Sequence, residues 1–422
     1  MGRLNLEVFM KIAFRYMLFL CLLILPAFGM ATISAGVGKT EIMPPIGTPS
    51  AGYTDRKGEG MKGIHDPLLA IALFIDNGEK KIAFCSVDHL GFTYDMVSAI
   101  TQKVHSKREL ADCEIYIASS HTHSGGGAYL NIPGLGESLA GVYSVDITQF
   151  YIERTVEAIF QAYQNRILAK VGIGYEKAGV LSKYRGLYPK DVTPLSDVTV
   201  IKVTTLEDAP LAVLFNYPVH PTILKSQNRL FSADFVGYTR DHLQTSLGGK
   251  MQPIYFNGAQ GDILPVISNE EDLFDSCDHL AKSLAGTVKT IWDRVKAEET
   301  LQIATQKESY SFTPKATPFG LILPMDLYKT EMNLIVLNRF HAFITIPGEL
   351  SCLYDKKLKE FGSTLGFTHV SIFGLTNDAH GYIILPESWQ HKTMESGLSF
   401  GGESYGDITE KRAEELLKAQ KP

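Results

Sequence analysis

The stretch Cys113-Glu-Ile-Tyr-Ile-Ala-Ser-Ser-His-Thr-His-Ser-Gly-Gly-Gly127 runs from a short apolar segment through two imidazoles into three glycines. Its first half has the length and the β-branched, aromatic character of a buried strand. His121 and His123 follow two residues apart. In an extended chain that spacing sends both side chains to one side, as one half of a metal site requires. Gly125 and Gly126 carry no side chain and adopt backbone angles that other residues resist, so they are expected to let a substrate approach closely. Taken alone, a His-x-His beside a turn is more often two ordinary core or surface histidines. The rest of the chain decides between these readings.

On either side of this stretch, short β-branched or aromatic runs bounded by turn residues predict strands at 69–75, 81–87, 114–118, 171–175, 198–203, 211–217, 334–337, 342–346 and 369–373. Apolar residues at three- and four-residue spacing predict helices at 94–110, 146–163, 273–295 and 407–419. Adjacent strand pairs mixed with strand–helix units point to a mixed α/β fold: a large mixed sheet, or two packed sheets, flanked by helices. No internal repeat, low-complexity tract or long linker divides residues 32–422, which predicts a single domain.

The 422 residues are 45% apolar with a net charge of −6, enough for a substantial core and without the basic clusters that follow phosphates, so nucleic acid is not an expected partner. Near the N-terminus, Lys11 and Arg15 lead into an apolar run that ends at Phe28 and is followed by Gly29-Met-Ala31. This pattern predicts a signal peptide over residues 1–31, a mature start near Thr32 and export to the periplasm, the outer surface or the medium. An uncleaved anchor is the alternative. Cys85, Cys113, Cys277 and Cys352 are spaced too irregularly for a disulfide framework, and Cys85 and Cys113 read as core residues.

Three further motifs sit where predicted strands end, the place where open α/β sheets gather their sites. They are Asn216-Tyr-Pro-Val-His-Pro221, Pro347-Gly-Glu349 and Gly374-Leu-Thr-Asn-Asp-Ala-His-Gly-Tyr382. Each offers one ligand-type side chain: His220, Glu349 and Tyr382.

With these motifs in place, the chain resembles the neutral (alkaline, non-lysosomal) ceramidases, zinc amidases that cut the N-acyl bond of ceramide. The resemblance rests on His-Thr-His-Ser-Gly from His121, Val-His-Pro-Thr from Val219, Gly261-Asp-Ile-Leu-Pro265, Pro347-Gly-Glu349 and Gly374-Leu-Thr-Asn377 with Tyr382 five residues on, in the family's order. It implies Zn2+ held by His121, His220, Glu349 and Tyr382. It also implies that His123 contacts the substrate and passes a proton to the leaving amine, that Asp262 takes a proton from a zinc-activated water, that Arg185 steadies an oxyanion or fixes Glu349, and that Asn377 touches substrate. Two imidazoles, a carboxylate and a weak phenol suit zinc and leave room for a water. Read without the resemblance, Asp262 is also a turn cap, Arg185 a structural ion pair, and Asp88 a carboxylate able to orient a ligand histidine.

The chain departs from the family at Leu264, where ceramidases carry serine, and at the run of three glycines, where they carry proline. The family's C-terminal immunoglobulin-like domain is not expected within residues 32–422. The resulting expectation is an exported zinc-dependent hydrolase of linear amides, acting on ceramide or another N-acyl lipid, with peripheral membrane contact. Two alternatives stay open: a non-catalytic lipid-binding relative, suggested by Leu264, and a zinc esterase, deacetylase or phosphoesterase acting on a polar substrate. Oligomeric state is not legible.

Overall fold

The computed structural model describes residues 32–187 and 189–422. The expected signal peptide therefore lies outside the described residues. Eight strands form the larger sheet: β1 (Ser34–Glu41), β2 (Leu69–Asp76), β3 (Lys81–Val87), β4 (Glu114–Ser119), β5 (Ile167–Lys177), β6 (Asp197–Thr205), β7 (Pro210–Tyr217) and β8 (Gln252–Asn257), in the spatial order β8-β7-β6-β5-β1-β2-β3-β4. A smaller sheet has β9 (Ile303–Phe312), β10 (Tyr328–Leu337), β11 (His341–Thr345) and β12 (His369–Phe373) in sequential order. Both sheets are mixed, with β3–β4, β7–β8 and β11–β12 parallel. The two expected alternatives, a large mixed sheet and a pair of packed sheets, are thus both present.

The sheets pack face to face, with helices on both outer sides. Ile71, Leu73 and Phe84 of the larger sheet meet Ile335, Phe343 and Phe373 of the smaller one. Alternate residues Ala70, Ala72 and Phe74 face α1 (Tyr94–His105) and α2 (Val145–Gln164). The other half of the large sheet is covered by α3 (Phe235–Leu247) and α4 (Leu273–Arg294), and the small sheet by α5 (Cys352–Thr364) and α6 (Tyr405–Ala419). Strands buried on both faces read as continuous apolar runs, which is why β2 and β3 were easy to recognise.

β1 was not, because its Ser-Ala-Gly-Val-Gly-Lys-Thr-Glu lacks that run. Its glycines make room for α2: a Cβ at Gly38 would lie 2.0 Å from Ala158 O, and one at Gly36 2.3 Å from Ala162 O. The helix expected over 94–110 ends at His105, and a separate 3-10 turn spans Arg108–Leu110. α3 and α5 were also missed. Their starts are local, capped by Asp234 and by Ser351, but Gly237, Thr239 and Gly362 dilute the helical pattern. All four cysteines considered are buried and free. No helix among the described residues is long and apolar enough to cross a membrane.

The larger sheet curls until its opposite edges touch. Ser86 of β3 donates to Tyr255 O of β8 at 2.6 Å. Asn257, at the end of β8, donates to Ser120 O and Val219 O at 3.1 Å each. That single amide ties together the residues that precede His121 and His220.

Candidate active site

His121, His220, Glu349 and Tyr382 are brought together by three loops that follow β4, β7 and β11, and by the loop after β12. Glu349 and Tyr382 are direct partners in a short parallel pair of two-residue strands, Glu349–Leu350 with Tyr382–Ile383. His121 and His123 do not continue an extended strand as expected. β4 ends at Ser119, and His121 has φ 72°, in the left-handed region. This turn brings the two rings together, with Nε2 of His123 3.4 Å from Nε2 of His121. Non-glycine residues held at positive φ concentrate at functional sites.

The inner faces of the imidazoles converge on one carboxylate oxygen. Glu349 Oε2 lies 3.2 Å from His121 Nε2 and 2.9 Å from His220 Nε2. The outer nitrogens face carbonyls: His121 Nδ1 is 2.6 Å from Leu90 O, and His220 Nδ1 is 3.0 Å from Ile263 O. A carbonyl can only accept, so each Nδ1 carries the proton. In a neutral imidazole this leaves Nε2 with a lone pair aimed at a carboxylate. Burial lowers the His220 pKa to about 4, which makes the neutral ring its ordinary form. Two lone pairs and an anion meeting at one point repel unless a cation lies among them, so the donor set fits a divalent ion with nitrogen and oxygen preference, such as zinc. His123 completes a group of three imidazoles whose ligand atoms lie within 4.8 Å of one another. Among the described residues, however, only His121 and His220 face Glu349 in this way.

Arg185 is half-buried beside this group. It donates to Tyr382 Oη at 3.0 Å, to Gly261 O at 2.8 Å and, through Nε, to Glu395 at 2.8 Å. It thus holds Tyr382, with Glu395 as its counter-ion. Nothing in the sequence singled out Glu395, because its partner lies 210 positions away.

Several expected residues sit elsewhere. The Asp262 carboxylate is engaged by Ser351 Oγ and by Cys352 N at the start of α5, which is a cap at a helix N-terminus and not a base facing the imidazoles. Asn377 closes the open edge of β4: its side chain accepts from Ile117 N at 2.8 Å and donates to Ile115 O and to Glu331. With every polar atom committed and the residue buried, it is a strand clamp and not a substrate contact. Gly125 and Gly126 pack against protein. A Cβ at Gly126 would lie 2.0 Å from Tyr151 Oη, and one at Gly125 3.1 Å from Asp88 O. The glycines therefore admit neighbouring protein atoms, not substrate. Asp88 pairs with Arg240 at 2.9 and 2.7 Å; the Leu90 carbonyl orients His121 in its place.

A cavity is lined by His121, His123 and Glu349 together with the apolar side chains of Leu130, Ile132, Leu135, Leu139, Leu323 and Phe400. A second arm shares Gly52, His123 and Tyr382 and runs past Arg185 to Leu264. Gly52 is required where the arms join, since it has φ 110° and a Cβ there would lie 2.4 Å from His123 Nδ1.

Residues 34–258 match the family model for neutral/alkaline non-lysosomal ceramidase, N-terminal, and the chain belongs to that family. The neutral ceramidase of Drosophila melanogaster is 25% identical over 305 residues, covering 63% of this chain and 41% of the relative. That of Drosophila pseudoobscura pseudoobscura is 24% identical over 288 residues, covering 58% and 39%. The chain thus spans about two-fifths of the length of these curated relatives. The crystal structure of neutral ceramidase from Pseudomonas aeruginosa superposes with a TM-score of 0.82 at 14% identity, covering 93% of this chain and 75% of that one. A structure described as ceramidase complexed with C2 gives 0.82 at 13%, covering 92% and 75%. The fold is that of these structures.

Proposed function

We propose that the protein is a zinc-dependent amidohydrolase that cleaves the N-acyl bond of ceramide or a related N-acyl lipid, and that it is exported. The observation that carries this reading is the meeting of His121 and His220 on Glu349 beside an apolar cavity that His121 and Glu349 help to line, in a chain of the ceramidase family. His121, His220, Glu349 and Tyr382 would hold the zinc, which when bound would supply Lewis acidity toward a carbonyl and toward a water.

The chain's own residues do the rest. Leu90 O and Ile263 O fix both imidazoles with Nε2 inward, the orientation that metal ligation needs. Arg185 holds the Tyr382 phenol in place and brings positive charge to the site. His123 stands next to His121 with Nδ1 buried and, among the described residues, without a partner, so the ring is free to exchange a proton with the leaving amine through Nε2. The leucine wall excludes water and accommodates an acyl chain. That apolar lining also weighs against a phosphoesterase or deacetylase acting on a polar substrate. Leu264 lines the second arm. There it takes part in substrate recognition, and its loss of a hydroxyl leaves the bond-breaking residues in place, which favours an enzyme over a non-catalytic binder.

The test is metal analysis of the purified protein together with hydrolysis of an N-acyl amide panel, with and without chelator. About one zinc per chain and chelator-sensitive release of fatty acid are expected. A protein that binds zinc but hydrolyses no amide or ester on the panel would remove the enzymatic reading.

A further inference from the structure

Of the buried tyrosines, Tyr129 alone has no hydrogen-bond partner for its hydroxyl among the described residues. Tyr116 donates to Glu114, Tyr151 to Gly127 O, Tyr217 to Ser182, Tyr255 to Tyr217 O and Tyr354 to Asp407; Tyr382 accepts from Arg185, and Tyr405 pairs with His380. Buried phenols normally find a partner, because an unpaired hydroxyl away from water loses more than a hydrogen bond would gain. Tyr129 is 5% exposed and lines the cavity with His121, His123 and Glu349.

Its position is heavily constrained. The ring lies edge-on to His89 with centroids 4.2 Å apart, and His89 is in turn packed against Phe92 at 4.8 Å and Tyr151 at 5.0 Å. The backbone leading to it is closely confined. Gly127 N donates to Pro49 O and Ala128 N to Ala140 O, each at 2.7 Å, Ala128 has φ 61°, and a Cβ at Gly127 would lie 2.3 Å from Ala140 O. The glycine run after the histidines is therefore a packing device that carries Tyr129 to the cavity wall.

We infer that Tyr129 is a catalytic residue whose hydroxyl donates a hydrogen bond to the acyl oxygen of the substrate as that oxygen gains negative charge. The inference rests on the amidohydrolase reading and adds a donor to it. No bond to Tyr129 forms or breaks; it supplies a fixed dipole where charge develops, the arrangement by which single donors contribute about 10²- to 10³-fold to turnover.

The experiment uses zinc-loaded protein and Tyr129→Phe, which removes one oxygen and keeps the ring on His89. Expected are unchanged zinc content and melting temperature, kcat lower by about 100-fold and KM within about threefold, the pattern of an interaction made in the transition state. A kcat within about threefold of the parent overturns the inference, and so does a loss of zinc or of thermal stability that accounts for the fall in rate. A second arm does not depend on turnover. Binding of a long-chain alkylphosphonate, a tetrahedral anion with an acyl-like tail, should weaken by about tenfold or more in the variant. Equal binding overturns the inference. If the parent hydrolyses no N-acyl amide, the functional reading fails, while the phosphonate comparison still decides whether Tyr129 donates to an anion in this cavity.

Discussion

Glu349 and Asp262 are two buried carboxylates on adjoining loops, joined through the backbone by Gly261 N donating to Leu350 O at 2.9 Å. Their surroundings are opposite. Glu349 faces two imidazole nitrogens that have no proton to give. Asp262 faces a serine hydroxyl and the first amide of a helix, and burial pushes its pKa up despite those hydrogen bonds. Burial and an acidic residue in a glycine turn are common to both, so neither property marks a site. What distinguishes the two is whether the partners can satisfy the carboxylate without a cation.

The comparison is most exposed to failure at the ligands. Glu349→Gln and His220→Ala should each strip zinc and lower hydrolysis by on the order of 10³-fold or more, since the metal contributes several kcal/mol to the transition state. Inductively coupled plasma mass spectrometry and a fatty-acid release assay read both effects, and retention of stoichiometric zinc in either variant would break the assignment. His123→Ala should separate the two properties, keeping zinc while slowing turnover by about 10²-fold.

Asp262→Ala should do the reverse of Glu349→Gln. Losing the acceptor for Ser351 and Cys352 should cost about 1–3 kcal/mol of stability, seen in urea unfolding, with zinc content unchanged. A collapse of kcat at intact stability would make Asp262 part of the chemistry after all. Its pH dependence follows from the sign of the shift. The folded-state pKa is raised, so the group's contribution to stability is complete below the unfolded pKa and declines as pH rises through the folded one. The stability deficit of Asp262→Asn should therefore be greatest at and below about pH 4 and shrink as the pH rises above it.

Leu264→Ser should have a smaller effect, improving the use of substrates with a hydroxyl near the scissile amide by about tenfold relative to those without. If hydrolysis appears only in that variant, through a trapped acyl-serine, the parent is not an enzyme. The smallest effect concerns export: mass spectrometry should find the mature N-terminus near Thr32 or Gly36 with activity unaltered, and intact Met1 or Met10 would count against a cleaved signal.

Most of the secondary structure could be read from the chain, because its signals are short-range. β2, β3, β6, β7 and β12 are apolar runs between turns, and α2 and α4 repeat apolar residues at helical spacing. The ligand-type residues at strand ends, His121, His220, Glu349 and Tyr382, were visible in the same way. β1 was hidden because its glycines answer to a helix more than a hundred positions later, and α5 because Gly362 weakens its pattern.

Sequence by itself determined the residue types of the site and the mixed α/β class, both of which depend on local chemistry and periodicity. Only the tertiary structure decided which of those residues share a cavity. His121 and Glu349 meet because the large sheet curls until β8 reaches β3 and a two-residue strand pair sets Glu349 beside Tyr382. The same long-range packing withdrew Asn377, Gly125, Gly126 and Asp262 from the substrate and left the Tyr129 hydroxyl on the cavity wall with no partner among the described residues. Hydrogen-bond partners are set by which strands become neighbours. That is a property of the whole chain's packing, which no local stretch encodes.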